Sequence, residues 1–197
     1  GGEIIVFGEN TTITSTANIK AEGGQAGGDG GFVETSGNSI DIQQGATVSA
    51  SATDGEAGTW LIDPTNIVID STSATSISTS LSTGSNVEVT TVSSGTEDGD
   101  IVVNSAITHS GTTNTTLTLN AHDDISINAN ITATSTGQLN MVLNADSDGS
   151  NAGIIKAGNV TLTTNGGTIS ASNETLSHTT TGVLTINADL SVNDFIW

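Results

Sequence analysis

The feature that most constrains this chain is a short pattern that recurs along it, a Leu or Ile followed by Asn and then Ala. The pattern occupies residues 119–121, 127–129, 143–145 and 186–188. Internal repetition of this kind is the sequence signature of a solenoid. Asn120 and Asn144 are 24 residues apart and Asn144 and Asn187 are 43 apart, which indicates coils of about 20–25 residues. Since Asn120 and Asn128 lie much closer together than one such step, each coil must contain more than one such corner.

Short alternating apolar pairs fill the chain between these corners, as at Leu117 and Leu119 or Ile125 and Ile127. Each pair predicts a strand of roughly three to five residues. Ile and Val together outnumber Leu by 33 to 10, and β-branched side chains favour the pleated backbone. A single helical turn is conceivable only from Ile77 to Leu81. The sequence therefore predicts an all-β parallel β-helix, and about nine coils at roughly 4.8 Å each would give a rod of roughly 40 Å.

The composition fits a narrow interior. The chain has 3 Phe, 2 Trp and no Tyr among 197 residues, too little bulk for a thick globular core. At the corners we expect each Asn amide to donate to and accept from the Asn one coil away. Six glycines lie in residues 23–31 and predict a tight excursion where side chains would collide. Trp60 is interpreted as a core residue, with an aromatic platform for a ligand as the alternative.

Charge and cysteine content exclude several classes of protein. Two Lys and no Arg against 21 Asp and Glu give a formal net charge of −19, so nucleic acid and anionic membranes are poor partners. The absence of Cys excludes disulfides and thiolate metal sites. No apolar run approaches the ~20 residues that span a bilayer. The chain stops at Trp197 within an apolar pattern, which favours a segment of a longer protein.

Two motifs carry a family resemblance. Residues 27–37 read GGDGGFVETSG and residues 57–70 read AGTWLIDPTNIVID. Together they resemble the filamentous haemagglutinin-like exoproteins of bacterial two-partner secretion, including the high-molecular-weight adhesin type. Residues 99–104 and the Asn-Ala corners match that family more loosely, so we divide the chain into coils with the two motifs (1–70) and continuous repeat coils (71–197).

The resemblance implies a right-handed parallel β-helix, a hand that agrees with the rule for parallel crossovers. It also implies export across the outer membrane of a Gram-negative cell by a barrel-shaped transporter, and an extracellular location at the cell surface. The secretion domain of that family has no counterpart in these residues. No part of the chain matches a receptor-binding region, so the host or neighbouring-cell ligand is not inherited.

Carboxylates form the strongest candidate sites for chemistry, in three clusters. They are Glu97, Asp98 and Asp100; Asp123 and Asp124; and Asp146 and Asp148. Asn144, Asp146, Asp148 and Gly149 resemble the start of a calcium loop, but Ile155 stands where an EF-hand needs a carboxylate. Glycoside cleavage would use Asp123 or Asp124 beside an acid one coil away. Simple solvation is the preferred interpretation, and we assign no catalytic, cofactor-binding or metal-ligating residue.

Other polar residues have both structural and functional interpretations. We interpret the three histidines, His109, His122 and His178, as exposed turn residues. Threonine pairs two residues apart could order water, as in an ice-binding face; they lie at Thr12 and Thr14, Thr116 and Thr118, and Thr161 and Thr163. Five glycan acceptor patterns begin at Asn10, Asn114, Asn130, Asn159 and Asn173.

The function that these observations favour is a non-enzymatic structural or adhesive rod. Its partners would be the outer-membrane transporter and, end to end, further coils of the same chain or other copies. The alternative is a carbohydrate-binding or carbohydrate-processing β-helix. Neither interpretation calls for a cofactor.

Overall fold

A computed structural model describes residues 1–94, 96–149, 153–178, 183 and 185–196. Over these residues the chain is a β-solenoid of about six turns, in which parallel strands stack coil upon coil, with one short helix. The predicted all-β parallel β-helix is confirmed. Within the described ranges no helix has the length and apolar character needed to cross a membrane.

Each coil carries up to three strands. The first coil comprises β1 (Glu3–Phe7), β2 (Asn10–Ile13) and β3 (Asn18–Lys20), and the second comprises β4 (Phe32–Ser36), β5 (Ser39–Ile42) and β6 (Thr47–Ser49). The third comprises β7 (Thr59–Asp63), β8 (Ile67–Ile69) and α1 (Ser71–Ser82), and the fourth comprises β9 (Asn86–Thr90), β10 (Ile101–Val103) and β11 (Ile107–His109). The fifth comprises β12 (Thr115–Asn120), β13 (Ile125–Ile127) and β14 (Ile131–Ala133). The sixth begins with β15 (Leu139–Asn144) and β16 (Ile155–Ala157), and the long strands β17 (Thr161–His178) and β18 (Thr185–Ile196) continue the stack through several corners.

These strands form three parallel ladders along the solenoid. The first ladder is uninterrupted and runs β1-β4-β7-β9-β12-β15-β17-β18. The second consists of the pair β2-β5 and the separate run β8-β10-β13-β16-β17. The third consists of β3-β6 and a run that starts at β11 and continues through β14. Because β8 of the third coil pairs with β10, the stack continues across residue 70, the boundary drawn from sequence.

Coil length varies more than the sequence spacing suggested. Ile101 pairs with Ile125 of the next coil, a step within the predicted range. Glu3 pairs with Phe32 and Ile125 pairs with Ile155, and both of these steps are longer than the predicted range. The predicted coil length is therefore too short for much of the chain, and the predicted nine coils become about six turns. The extra residues lie in the turns and in α1, and the strands stay in register apart from two shifts between β17 and β18.

Alternate residues of each strand point inward and form the core. Strand β12 shows the pattern, since Leu117 and Leu119 are fully buried while Thr116 and Thr118 are half-buried on the outer side. Trp60 is fully buried, and its Nε1 donates to Thr35 Oγ1 at 3.1 Å. Placement of Trp60 in the core is therefore confirmed. The stack of inward β-branched and Leu side chains forms a single continuous core cluster.

The helix α1 is longer than the single turn that the sequence suggested. Asp70 caps it, and its Oδ1 accepts hydrogen bonds from Thr72 N at 3.0 Å and Ser73 N at 2.9 Å. Ala74, Ile77 and Leu81 recur at helical spacing and are buried against the core. A helix with few apolar anchors forms here because the packing of that stripe outweighs weak Ser and Thr propensity.

Serine side chains of α1 contact the backbone of the strands on either side. Ser76 Oγ donates to Ala46 O at 3.0 Å in the second coil. Ser78 Oγ accepts from Thr108 N at 2.9 Å, and Ser82 Oγ accepts from Ser110 N at 2.9 Å, both in the fourth coil. The helix takes the place of the third strand of its coil, and these hydroxyls replace part of the backbone pairing that the missing strand would supply.

Glycines permit close backbone approach at the corner between the third and first ladders. A Cβ on Gly31 would lie 2.0 Å from Gly2 O, and one on Gly58 would lie 2.1 Å from Gly31 O. The predicted role of the glycine-rich segment as a place where side chains would collide is thus confirmed.

Asparagine amides connect successive coils at the corners. Asn144 Nδ2 donates to Asn120 Oδ1 at 2.7 Å, and Asn128 Nδ2 donates to Asn104 Oδ1 at 3.0 Å. Asn120 ends β12 and Asn128 follows β13, so one coil does contain two of these corners. The predicted Asn-to-Asn stacking is confirmed.

Candidate functional site

The three acidic clusters of the sequence meet at one corner of the solenoid, in the turns that lead from the first ladder to the second. These turns lie between β9 and β10, between β12 and β13, and between β15 and β16. We call the resulting group the acidic corner; it consists of Asp98, Asp100, Asp123, Asp124, Asp146 and Asp148. The chain places them together because successive turns at one corner stack at the spacing of the coils.

Backbone hydrogen bonds hold the turns of the acidic corner in register. Asp123 N donates to Gly99 O at 3.2 Å, and Asp146 N donates to Asp123 O at 3.0 Å. Two carboxylates also accept from backbone N–H groups of the next turn. Asp100 Oδ1 accepts from Asp124 N at 3.1 Å, and Asp124 Oδ1 accepts from Ile154 N at 2.8 Å. The carboxylates of Asp100 and Asp124 therefore connect successive coils through hydrogen bonds.

Asp100, Asp123 and Asp124 form the tightest group, with one carboxylate oxygen from each lying within 4.8 Å of the others. Lys156 Nζ contacts Asp124 Oδ2 and neutralises part of the charge. Burial raises the pKa of Asp123, and the negative charges of Asp124, Asp100 and Asp98 raise it further, while Lys156 opposes them. Asp123 Oδ1 is buried and accepts no hydrogen bond from the described residues.

This geometry can hold a cation chiefly through Asp100 and Asp123. Asp124 has both oxygens engaged, one with Ile154 N and one with Lys156. An entering divalent cation would have to displace the Lys156 ammonium or share Asp124 with it. The absence of assigned metal ligands stays a prediction, and calorimetry with calcium tests it.

The residues that resemble the start of a calcium loop form a tight turn and contact the preceding coil. Gly149 N donates to Asp146 O at 3.0 Å, which closes a tight turn, and Asp146 is buried with a left-handed φ of 52°. Asp148 Oδ2 lies 3.5 Å from His122 Nε2. The Asn144 amide donates to Asn120 of the previous coil. The residues of the pattern thus make separate contacts with the neighbouring turn.

The glycosidase alternative required Asp123 or Asp124 beside an acid one coil away, and Asp100 is that acid. However, the ion pair between Asp124 and Lys156 holds that carboxylate in a structural contact. Glu97 Oε2 accepts from Asn66 Nδ2, and Asn66 Oδ1 accepts from Asp100 N. The arrangement brings the predicted acids together: Lys156 holds Asp124, while carboxylate oxygens of Asp100 and Asp123 lie within 4.8 Å of each other, so the glycosidase alternative stays a prediction.

Histidine placement differs from the sequence interpretation. His109 is fully buried at the end of β11, so its assignment as an exposed turn residue is wrong. Inward alternation with Ile107 accounts for this position. His122 is half-buried at the acidic corner. The His178 side chain lies outside the described residues.

The threonine pairs and glycan acceptor patterns have structural contexts. Thr12 lies on β2 in the second ladder, Thr116 and Thr118 on β12 in the first, and Thr161 and Thr163 on β17, where Thr163 pairs with Thr132 of the third. The pairs do not share one face of the solenoid.

Four of the five Asn residues that begin glycan acceptor patterns connect coils, because the Oδ1 of each accepts a hydrogen bond from a residue of the next coil. The pairs are Asn10 with Ser39 Oγ, Asn114 with Gln138 N, Asn130 with Thr161 N and Asn159 with Val183 N. The Asn173 side chain lies outside the described residues.

One signal in the sequence could have located the Asp100–Asp124 contact. These residues are 24 positions apart, the same step that separates Asn104 from Asn128 and Asn120 from Asn144. By contrast, Asp123 and Asp146 stack across a turn of different length, which spacing alone does not give.

No protein-family model matches the chain, and a search of curated proteins found no significant match.

Proposed function

We propose that this chain is a non-enzymatic structural and adhesive rod segment of a secreted bacterial surface protein. The observation that carries the proposal is the continuous first ladder, which runs from β1 to β18 over one apolar interior. Each added coil extends such a rod and stabilises it through contacts with its neighbours. The resemblance of residues 27–37 and 57–70 to filamentous haemagglutinin-like exoproteins supports secretion through an outer-membrane transporter and a place at a Gram-negative cell surface.

End-to-end contact with further coils, of the same chain or of another copy, is part of the proposal. Strands β1, β2 and β3 pair only with the second coil among the described residues, so their other edges are open. Unpaired parallel edges are templates for further strands. Ile5 and Phe7 of β1 are 57% and 79% exposed beside this edge. Head-to-tail stacking would then form an open filament.

The test is the length of particles in negative-stain images over a range of protein concentration. We expect rods that lengthen as concentration rises. Ile5→Lys with Phe7→Lys places charge at the open edge and should keep the particles short. Val68→Lys is the matched control, because Val68 is 55% exposed on β8, within the stack. Particles of constant length in all three proteins would contradict end-to-end assembly.

A carbohydrate-binding role is the second candidate, and one groove favours it. The groove has a volume of about 380 Å³ and lies beside Phe7, with Asn38, Asp63 and Val92 among its walls. An exposed aromatic ring beside carboxylate and amide groups suits the apolar face and hydroxyls of a sugar. Binding on a glycan array that Phe7→Ala abolishes would support this role. Release of reducing sugar would argue for an enzyme instead.

A further inference from the structure

His109 occupies the interior of the solenoid at the corner that joins the third ladder to the first. It is the last residue of β11, fully buried, and pairs with Ala133 of the next coil. The inward column therefore sets a large polar ring against a small apolar side chain. Such a position is unusual for a titratable group, because burial penalises its charged form.

Glycines make the space for this ring. A Cβ on Gly137 would lie 2.6 Å from His109 Nε2, and one on Gly111 would lie 3.1 Å from His109 Cε1. The turns at Gly111 and Gly137 thus pass directly over the imidazole in two successive coils. Movement of the ring would displace both turns.

In the described elements around His109, no acidic side chain compensates a charge on its ring. Strand β11 and the elements packed beside it, α1, β12 and β14, contain no Asp, Glu, Lys or Arg. Glu88 of β9 lies on the outer side of the first ladder, where it pairs with Leu61 and Thr118. Among the described residues neither ring nitrogen has a hydrogen-bond partner of good geometry. Burial lowers the pKa of His109, and the backbones of Thr113 and Leu81 offset only part of that effect.

Two more buried hydroxyls in neighbouring elements lack a partner within the described chain. Ser80 Oγ on α1 and Thr115 Oγ1 at the start of β12 accept and donate no hydrogen bond there. Both residues are at most 2% exposed. The apolar interior of coils three to five thus contains three buried polar side chains without a partner of good geometry, and such regions open at lower cost than a fully paired core.

We propose that His109 makes this corner acid-sensitive: once protonated, the imidazolium leaves the interior and opens the turns at Gly111 and Gly137. The inference rests on the position of His109 and holds whether or not the chain forms an adhesive rod. Its consequence is a solenoid that opens locally, at the corner around His109, under mild acid.

The direction of the pH dependence follows from linkage. A histidine whose pKa is lowered by folding binds more protons when its coil is open. Stability is therefore full above the ordinary histidine pKa of about 6.5 and falls as pH decreases below it. One such group raises the local opening constant by at most about tenfold per pH unit. Because the pKa values of Asp63 and Asp123 are also raised, substitution of His109 is needed to assign an effect between pH 6.5 and 5 to this histidine.

Hydrogen exchange followed by mass spectrometry on the full chain tests the proposal, with an NMR titration of the imidazole. After correction for intrinsic exchange rates, we expect opening of residues 106–115 and 134–138 to increase as pH falls from 6.5 to 5. His109→Leu should abolish the increase, and His109→Gln serves if the Leu variant does not fold. His122→Gln is the control and should behave like the unmodified chain.

Two results would overturn the proposal. One is an acid-dependent increase that persists in the His109 variants that fold. The other is an imidazole that stays neutral, or is protonated in place, with no change in exchange at these turns between pH 6.5 and 5.

Discussion

At the scale of single residues, the stacking of this solenoid depends on how each side chain fits against the residue one coil away. Glycine lets two backbones approach, Asn links corners through its amide, and an inward Ala leaves room for His109. Each role is defined between coils, because parallel stacking brings residues about 19–34 positions apart into contact. A substitution is therefore best judged against the residue above or below it.

The glycine contacts give the first prediction. Gly58→Ala would place a Cβ 2.1 Å from Gly31 O, so the backbone must shift and the coil is destabilised by about 1–3 kcal/mol or more. Gly2→Ala is the matched control, because its Cβ would have no neighbour within 4 Å. Urea unfolding followed by circular dichroism measures the difference. Equal midpoints for the two variants would show that the corner yields without cost.

Asp123 gives the second prediction, in which a substitution increases the stability of the folded protein. Because burial and neighbouring carboxylates raise its pKa, the ionised form costs folding free energy at neutral pH. Asp123→Asn should therefore raise the unfolding midpoint at pH 7. The gain should shrink as pH falls through the pKa of the folded protein and vanish below the ordinary Asp value. An Asn variant less stable than the parent at pH 7 would contradict this account; Asp98→Asn, at an exposed neighbour, provides the comparison.

At the scale of elements, α1 is the one helix among the strands of the described residues. Its three apolar anchors and the cap at Asp70 are local signals, and the spacing of Ala74, Ile77 and Leu81 could have predicted a full helix from sequence. The strands were easier to predict than the helix, because apolar and polar residues alternate even in strands of three residues. The serine contacts of α1 were not predictable, since they depend on which strands flank the helix in space.

The cap gives the third prediction. Burial acts to raise the pKa of Asp70, but hydrogen bonds from Ser73 and Thr72 outweigh it and hold the pKa below its usual range. Asp70→Ala should cost about 0.5–2 kcal/mol at pH 7, whereas Asp70→Asn should keep most of the cap. The contribution of the carboxylate is present above the ordinary Asp pKa and is lost as pH falls through the lowered one. Hydrogen exchange in residues 71–82 measures it, and equal protection in both variants would contradict the role of the cap.

At the scale of the whole molecule, regular repetition was predictable and its irregularities were not. The Asn ladders and the inward stack follow from spacing and alternation, as Asn120 and Leu117 illustrate. Longer turns between β9 and β10 and between β15 and β16 changed the coil length, and no local signal fixes how long such a turn becomes. The meeting of Asp123 with Asp146 depended on those lengths.

The overall charge gives the fourth prediction. A formal net charge of −19 over a narrow solenoid means that like charges repel both within one rod and between rods. Raising sodium chloride from about 0.01 M to 0.15 M shortens the screening length from about 30 Å to about 8 Å, so the melting temperature should rise. Sodium sulfate at equal ionic strength separates screening from specific effects of the anion. A melting temperature that falls with either salt would mean that attractive ion pairs dominate.

The helix α1 also marks a level along the solenoid axis at which the strand ladders are interrupted. Among the described residues, β6 pairs only with β3 and β11 starts a new run, so strand pairing in the third ladder stops at α1 from either end. The second ladder breaks between β5 and β8, at nearly the same level. If the solenoid is pulled along its axis, the load between the second and third coils passes through the first ladder, where β4 meets β7, through backbone hydrogen bonds at the corners such as Gly58 N to Ala50 O, and through Ser76 of α1. Within the part of the chain that the structure describes, the second and third coils thus share the fewest paired strands, so we expect a stretched chain to part between them first and to leave the coils on either side as separate folded blocks.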